Sequence, residues 1–115
     1  MRKIDFGKKN EIIAKNYLIG KGYKILEMNY KNKIGEIDII AKDDNYIVFV
    51  EVKGRFSRMF GDPAEAVNEE KQYKIRSVAS IYLMQKRKTE ANCRFDVIAV
   101  LGDGEPNIRH IIDAF

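Results

Sequence analysis

The alternation of apolar and charged positions over residues 35–53 is the clearest structural signal in this chain. Two runs, residues 36–41 and 48–53, place apolar side chains at every second position, which is typical of β-strands with a buried face. The segment between them includes Asp-Asp-Asn at residues 43–45, and these residue types favour turns because they tolerate left-handed backbone. The pattern therefore predicts a β-hairpin with acidic side chains inside both strands.

The turn determines which residues of the two strands face one another. With a loop of two or four residues centred between positions 44 and 45, Asp38 lies opposite Glu51 and Glu36 lies opposite Lys53. The apolar pairs expected on the other face are Ile37 with Val52, Ile39 with Val50, and Ala41 with Val48. A three-residue loop would mix apolar and charged positions on each face, and the high cost of a register slip disfavours that arrangement.

The two acids of this hairpin suggest a metal site. Like charges directly opposite one another destabilise a sheet, but a divalent cation held by Asp38 and Glu51 reverses the effect. Hard oxygen ligands suit Mg²⁺ or Mn²⁺. Lys53 projects from the same strand face as Glu51, because side chains two positions apart point the same way.

Carboxylates, a divalent metal and a lysine together are suited to phosphoryl chemistry. The metal polarises a phosphate oxygen and activates water, and the lysine stabilises developing negative charge or orients the water. The alternative is a hairpin held by the surface ion pairs Glu36–Lys53 and Asp38–Arg55. The spacing alone favours neither interpretation.

The remaining pattern predicts two helices and three further strands. An apolar stripe indicates a helix over residues 6–20, which ends in glycine. Asp62-Pro63 is typical of a helix start, and the apolar positions of that second helix continue to about Lys86. Strands are expected over residues 23–30, 94–101 and 107–112. The predicted fold class is α/β, with a mixed β-sheet flanked by helices in the order αβββαββ, in a single domain of residues 1–115.

Composition narrows the class of protein. The 115 residues are 45% hydrophobic and 33% charged, which describes a soluble globular chain, and no apolar run approaches a membrane span of roughly 20 residues. The single cysteine, Cys93, provides no disulfide framework and fits a reducing cytoplasm. The lone histidine, His110, rules out a metal site built on histidines, and we expect it to be structural. The net charge of +4 is compatible with a polyanionic partner.

Several short segments resemble one bacterial protein family. They are residues 35–41 (Gly-Glu-Ile-Asp-Ile-Ile-Ala), 48–55 (Val-Phe-Val-Glu-Val-Lys-Gly-Arg), 60–63 (Phe-Gly-Asp-Pro), 94–97 (Arg-Phe-Asp-Val) and 110–115 (His-Ile-Ile-Asp-Ala-Phe), with Gly7 and Glu11. These segments span essentially the whole chain and look like the YraN family, also called UPF0102. That family in turn resembles restriction-endonuclease-like PD-(D/E)xK nucleases, closest to archaeal Holliday-junction resolvases.

The resemblance implies a restriction-endonuclease-like core and a role for each matching residue. Asp38 matches the first acid, Glu51 the second, and Lys53 the lysine, while Glu11 matches an acid on the first helix. Ile37 precedes Asp38, so the literal Pro-Asp pair is absent. The expected catalytic set is therefore Glu11, Asp38, Glu51 and Lys53, with Mg²⁺ or Mn²⁺ held by Asp38, Glu51 and the backbone carbonyl of Val52.

Basic residues near this set are candidates for contacts with nucleic acid. Arg55 and Arg58 follow the second acidic strand and alternate with aromatic residues, so they either hold phosphates or belong to a packed connection. Lys71 and Lys74 share one side of the second helix, where a solvated face is the commoner explanation. All four are candidate nucleic-acid-binding residues.

These observations together predict a Mg²⁺-dependent endonuclease-like protein that acts on DNA, in single-stranded or branched form, in the cytoplasm and without a membrane partner. A junction resolvase needs two active sites and hence a homodimer. Two alternatives remain open, a nucleic-acid-binding protein without turnover and a scaffold within a DNA-uptake or repair complex. Metal-dependent cleavage separates the first reading from the others, and salt-sensitive DNA binding separates the alternatives.

Overall fold

The computed structural model describes residues 6–54, 65, 67–101 and 107–115. These residues form two helices and five strands in the predicted order αβββαββ. The helices are α1 (Phe6–Gly20) and α2 (Glu69–Gln85), and the strands are β1 (Lys24–Lys31), β2 (Glu36–Asp43), β3 (Tyr46–Gly54), β4 (Asn92–Leu101) and β5 (Asn107–Ile111). Neither of the described helices has the length and apolar character needed to cross a membrane.

The five strands form one sheet in the order β1-β2-β3-β4-β5. Strands β1, β2 and β3 are antiparallel neighbours, β3 and β4 are parallel, and β4 and β5 are antiparallel. Short loops suffice for antiparallel neighbours, whereas the parallel pair requires a crossover, and α2 lies within it. The predicted α/β class and mixed sheet are confirmed.

The predicted register of the β2–β3 hairpin is confirmed where the ladder is formed. Asp43 pairs with Tyr46 across a two-residue loop, and Asp44 in that loop has a left-handed backbone with φ of 51°. Ile39 faces Val50, and Ala41 faces Val48, as expected. The ladder ends at the Ile39–Val50 pair, so the strands lose regular pairing where the acids Asp38 and Glu51 begin.

The sheet separates two apolar cores. One lies against α1, and its buried members are Ala14, Leu18, Ile39, Ala41, Val48, Val50 and Ile98. The other lies against α2, and its buried members include Ile37, Ile40, Phe49, Ile75, Val78, Tyr82, Phe95 and Val97. Burial of these side chains is the main favourable contribution to folding, at roughly 1.5–3 kcal/mol for each large one.

The prediction that Ile37 and Ile39 share one face is wrong. Ile37 and its partner Tyr30 belong to the core against α2, whereas Ile39 and its partner Met28 belong to the core against α1. Side chains two positions apart on a regular strand would share a face. The alternation of side chains between the two sheet faces therefore shifts by one residue in β1, between Met28 and Tyr30, and in β2, between Ile37 and Ile39. In β1 the shift coincides with a left-handed residue, Asn29, with φ of 52°. Asp38 occupies the corresponding position of β2.

Helix α2 starts later than predicted. Asp62-Pro63 lies outside the described residues, and the helix begins at Glu69 because the side chain of Asn68 caps it, accepting a 2.9 Å hydrogen bond from the Lys71 N–H. The apolar positions predicted for this helix are correct, since Ile75, Val78, Ala79, Tyr82 and Leu83 are buried. The late start places Lys71 in the first turn of α2.

A buried ionic network joins β4, β5 and the hairpin on the α1 side of the sheet. Asp96 is fully buried and accepts hydrogen bonds from Arg94 Nε and Nη2, both 2.9 Å long, and from the Asp113 N–H at 3.0 Å. His110 Nε2 lies 2.7 Å from Asp96, which gives His110 the structural position expected of it. Arg94 also reaches Asp43 at 3.1 Å. Burial raises the pKa of Asp96, but these donors outweigh it and hold the pKa below the ordinary value.

We expect Asp96→Asn to lower the free energy of unfolding by about 3–5 kcal/mol, because it removes the anion that compensates buried Arg94. Urea denaturation at neutral pH measures this loss. The difference should shrink as the pH falls from 3.8 towards the lowered pKa of folded Asp96, because over this range the unfolded chain takes up a proton that the folded parent does not. The control is Asp44→Asn at the exposed, left-handed turn position, where Asn is tolerated. An equally small effect at both positions would contradict this account.

Candidate metal and phosphate site

Charged side chains gather in a cleft where β2 begins and β3 ends. The cleft has a volume of about 300 Å³ and is lined by Gly35, Glu36, Asp38, Glu51, Lys71, Lys74, Ile75 and Val78. The turn before β2 is held against α2 by Asn32, whose Nδ2 donates to the Val78 carbonyl at 3.4 Å. The sheet therefore supplies the acids of the cleft, and α2 supplies its lysines and its apolar wall.

Asp38 is aimed towards β3 by a backbone hydrogen bond. Its Oδ2 accepts from the Val52 N–H at 2.8 Å, just beyond the end of the β2–β3 ladder. Burial, the neighbouring charge of Glu51 and the proximity of Glu11 raise the pKa of Asp38 to about 7, against the opposing effect of the Val52 N–H. The predicted approach of Asp38 and Glu51 to one another is therefore realised as a side-chain cluster and not as a regular cross-strand pair.

Glu51 is paired with two lysines. Its Oε1 lies 2.9 Å from Lys71 Nζ and 3.9 Å from Lys53 Nζ, and its side chain is only 11% exposed. The shared strand face predicted for Glu51 and Lys53 is confirmed by this contact. The alternative ion pair Glu36–Lys53 is not formed, although both residues are among those described. Lys53 instead belongs to the acidic cluster.

The two lysines differ in how firmly each holds its proton. Burial and the nearby ammonium of Lys71 lower the pKa of Lys53, in spite of the opposing charges of Glu51 and Asp38. Burial also acts to lower the pKa of Lys71, but its hydrogen bonds with Lys53 and Glu51 outweigh this and raise it. The site therefore favours the ammonium form of Lys71 and disfavours that of Lys53.

Glu11 reaches the cluster from α1, as the family resemblance implies. Its Oε1 accepts a 2.8 Å hydrogen bond from Asn29 Nδ2, and its carboxylate is close enough to Asp38 to help raise the pKa of that residue. The left-handed backbone of Asn29 thus belongs to the arrangement that orients this acid. A second cleft of about 520 Å³ opens on this side and is lined by Gly7, Lys8, Glu11, Asn29, Lys31 and Glu36. The acids lie between two clefts that both carry lysines.

The donor set suits a hard divalent cation. Mg²⁺ is commonly held by one or two carboxylates and completes its shell with water and phosphate oxygens, and Asp38 with Glu51 provides such a pair. In the part of the chain that the structure describes, no three or more His, Cys, Asp or Glu side chains converge as a ligand cluster. The protein would therefore contribute these two carboxylates, and the Val52 carbonyl remains a predicted third ligand.

The four candidate nucleic-acid-binding residues fall into two groups. Arg55 and Arg58 lie outside the described residues. Lys71 and Lys74 both line the cleft. Sequence reasoning missed the ion pair between Lys71 and Glu51. The Asn68 cap places Lys71 in the first turn, but only the packing of α2 on the sheet brings this turn to the end of β3.

Comparison of this sequence with known proteins identifies its family. A family model described as "Uncharacterised protein family UPF0102" matches residues 10–100, which is most of the chain and includes every described candidate residue. The chain belongs to the UPF0102 family. Similar UPF0102 proteins occur in Clostridium kluyveri, at 47% identity over 96% of this chain and 93% of the relative, and in Thermodesulfovibrio yellowstonii, at 49% over 100% and 99%. A UPF0102 protein of Clostridioides difficile is 51% identical over 98% of this chain and 96% of its own length.

The raised pKa of Asp38 predicts that this site costs the UPF0102 protein stability. Because the folded protein keeps a proton on Asp38 that the unfolded chain releases above the ordinary value of 3.8, stability falls between that pH and about 7. Asp38→Asn keeps an oxygen for the Val52 N–H and removes the buried charge. We expect it to raise the free energy of unfolding by roughly 1–3 kcal/mol at about pH 8 in metal-free buffer.

Urea denaturation of the parent and Asp38→Asn at about pH 8 and about pH 5 measures this effect. The stabilisation should be larger at the higher pH, because parent Asp38 is then ionised in the folded state. A loss of stability in the variant at about pH 8 would show that the ionised carboxylate stabilises the metal-free fold.

Proposed function

We propose that this UPF0102 protein is a Mg²⁺- or Mn²⁺-dependent endonuclease that acts on DNA, with branched DNA of repair or recombination as the preferred form. The observation that carries the proposal is the convergence of Asp38 and Glu51 from adjacent strands, beside Lys53, in an open cleft. Paired carboxylates with an adjacent lysine are the groups that metal-assisted phosphodiester hydrolysis requires.

Each residue of the cluster has a distinct task in this proposal. Asp38 and Glu51 hold the cation, and the Val52 N–H fixes the direction of the Asp38 carboxylate. The bound cation would supply Lewis acidity to the phosphate and would favour ionised Asp38. Lys53, whose pKa is lowered, lies beside Glu51 to stabilise charge on the phosphate or to orient water. Glu11 supports Asp38 from the α1 side.

The DNA backbone is expected to pass across the acids from one cleft to the other. Lys71 and Lys74 lie on the α2 side, and Lys8 and Lys31 lie on the α1 side. Lysines on both sides of a metal site hold the phosphates that flank the one being cleaved, and such contacts position the backbone without reading sequence. Cleavage of a four-way junction on both strands would require two such sites, which a homodimer provides.

The direct test is a cleavage assay on single-stranded, duplex, flap and four-way DNA with Mg²⁺, Mn²⁺ or a chelator. We expect metal-dependent nicking by the parent, and none by Asp38→Ala, because one of two carboxylate ligands is lost. Glu90→Ala, an exposed acid outside the cleft, is the matched control and should cleave like the parent. If the parent binds DNA in a salt-sensitive manner but cleaves none of these substrates, the chain is a binding protein with a nuclease-like site.

Lys53→Met separates a catalytic lysine from a structural one. We expect cleavage to fall by about 10²–10³-fold, because a donor for developing phosphate charge is lost. Affinity for Mg²⁺, measured by isothermal titration calorimetry, should be unchanged or tighter, because a positive charge next to Glu51 is removed. Unaltered cleavage by Lys53→Met, alongside an inactive Asp38→Ala, would assign Lys53 a structural role.

A further inference from the structure

Lys71 places a positive charge beside Glu51, although it belongs to α2 and not to the β2–β3 hairpin that carries the acids. Its Nζ lies 2.9 Å from Glu51 Oε1, much closer than Lys53 Nζ at 3.9 Å. The Asn68 cap holds the Lys71 backbone in the first turn of α2, which fixes where the side chain starts. The lysine head and the Glu51 carboxylate meet inside the cleft that also contains Asp38.

We propose that Lys71 is a resident counter-cation that neutralises Glu51 in the metal-free protein, competes with a divalent metal for that carboxylate, and binds a DNA phosphate once the metal displaces it. This inference rests on the proposed function, because it assigns Glu51 to the metal. It adds a regulatory property to the site, since the same side chain either closes the metal position or serves the substrate.

The burial of the two partners supports an exchangeable contact. The Glu51 side chain is 11% exposed and is fixed in the sheet, whereas the Lys71 side chain is 41% exposed and has a flexible stem. The buried Glu51 carboxylate requires a positive neighbour, and a divalent cation would meet this need when the partly exposed Lys71 ammonium leaves for solvent. Lys53 remains beside Glu51 when Lys71 leaves, so the carboxylate keeps one ammonium neighbour.

The position of Lys71 also supports its second task. It lines both the cleft of the acids and a neighbouring cleft of about 290 Å³ with Asn68, Glu70 and Lys74. An ammonium released from Glu51 therefore stays on the path proposed for the DNA backbone. Lysine binds phosphate as a point charge with rotatable donors, so it requires no fixed geometry for this contact.

Lys74 provides a matched control within the same helix. It lies three residues after Lys71, so the two share a helix side, and it lines the same two clefts. Among the described residues, it forms no ion pair with Glu51. Removal of Lys74 changes the charge of the cleft equally but leaves the Glu51 carboxylate paired.

The first measurement is Mn²⁺ and Mg²⁺ affinity by isothermal titration calorimetry on the full chain without DNA. We expect Lys71→Ala to tighten metal binding by roughly three- to tenfold, because the competing cation is gone. Lys74→Ala should change the affinity by less than about twofold, because it lies outside the ion pair. Lys71→Met keeps the apolar stem of the side chain and should show the same increase in metal affinity. This variant excludes a packing defect as the cause of the change in Lys71→Ala.

The second measurement is DNA affinity with Ca²⁺ present or with a chelator, conditions chosen to limit cleavage. Lys71→Ala should weaken binding when the cation is present, and much less without it, because Lys71 is then held by Glu51. Lys74→Ala should weaken binding under both conditions and reduce the salt dependence by about one phosphate contact.

The two proposals fail in distinguishable ways. If the parent binds no divalent cation, the proposed function is wrong and the competition falls with it. If the parent binds metal but Lys71→Ala and Lys71→Met bind it equally or more weakly, the competition is wrong while the metal site stands. Loss of DNA affinity in Lys71→Ala that is equal with and without the cation would overturn the release of Lys71.

Discussion

The crowding of carboxylates at one end of the β2–β3 hairpin is the constraint on which the arrangement of this site depends. Asp38 and Glu51 come together because they lie just beyond the Ile39–Val50 pair, where the regular β2–β3 ladder ends. There the Val52 N–H donates a hydrogen bond to the Asp38 side chain instead of to a backbone carbonyl of β2. Glu11 adds a third acid from α1. Such a group of acids is stable only with protons or cations nearby. In this structure the pKa of Asp38 is raised, and the ammonium groups of Lys53 and Lys71 lie beside Glu51.

Other parts of the sheet provide the stability of the fold. Two apolar cores cover its faces, and the Asp96 network ties β4 to β5 and, through Arg94, to the end of β2. Asp96 and Asp38 show how environment decides the behaviour of an aspartate. Asp96 is fully buried, but its positive donors lower its pKa, whereas partial burial and neighbouring acids raise the pKa of half-buried Asp38. The first stabilises the fold, and the second is the carboxylate that the proposed function assigns to the metal.

The pattern of the sequence was sufficient to predict most of the fold but only part of the site. Alternation and turn chemistry determine the hairpin register at Ile39 and Ala41, because a slip would expose both faces. They do not reveal the shift at Asp38, which coincides with a left-handed Asn29 in the neighbouring strand. Local propensity likewise could not predict the contact between Lys71 and Glu51, because it depends on how α2 packs across the sheet. The approach of Glu11 followed from the family resemblance and not from its weak helical pattern.

The charge balance of the cleft connects metal binding to DNA binding. The cleft of the acids is lined by Glu36, Asp38 and Glu51 together with Lys71 and Lys74, and Lys53 lies beside Glu51. With all of them ionised, the three acids and the three lysines balance. A divalent cation would add two positive charges and, in the proposed exchange, would free Lys71 from Glu51. The cation would therefore strengthen the attraction of the cleft for phosphate, so the groups that would cleave DNA would also hold it more tightly once the metal is present.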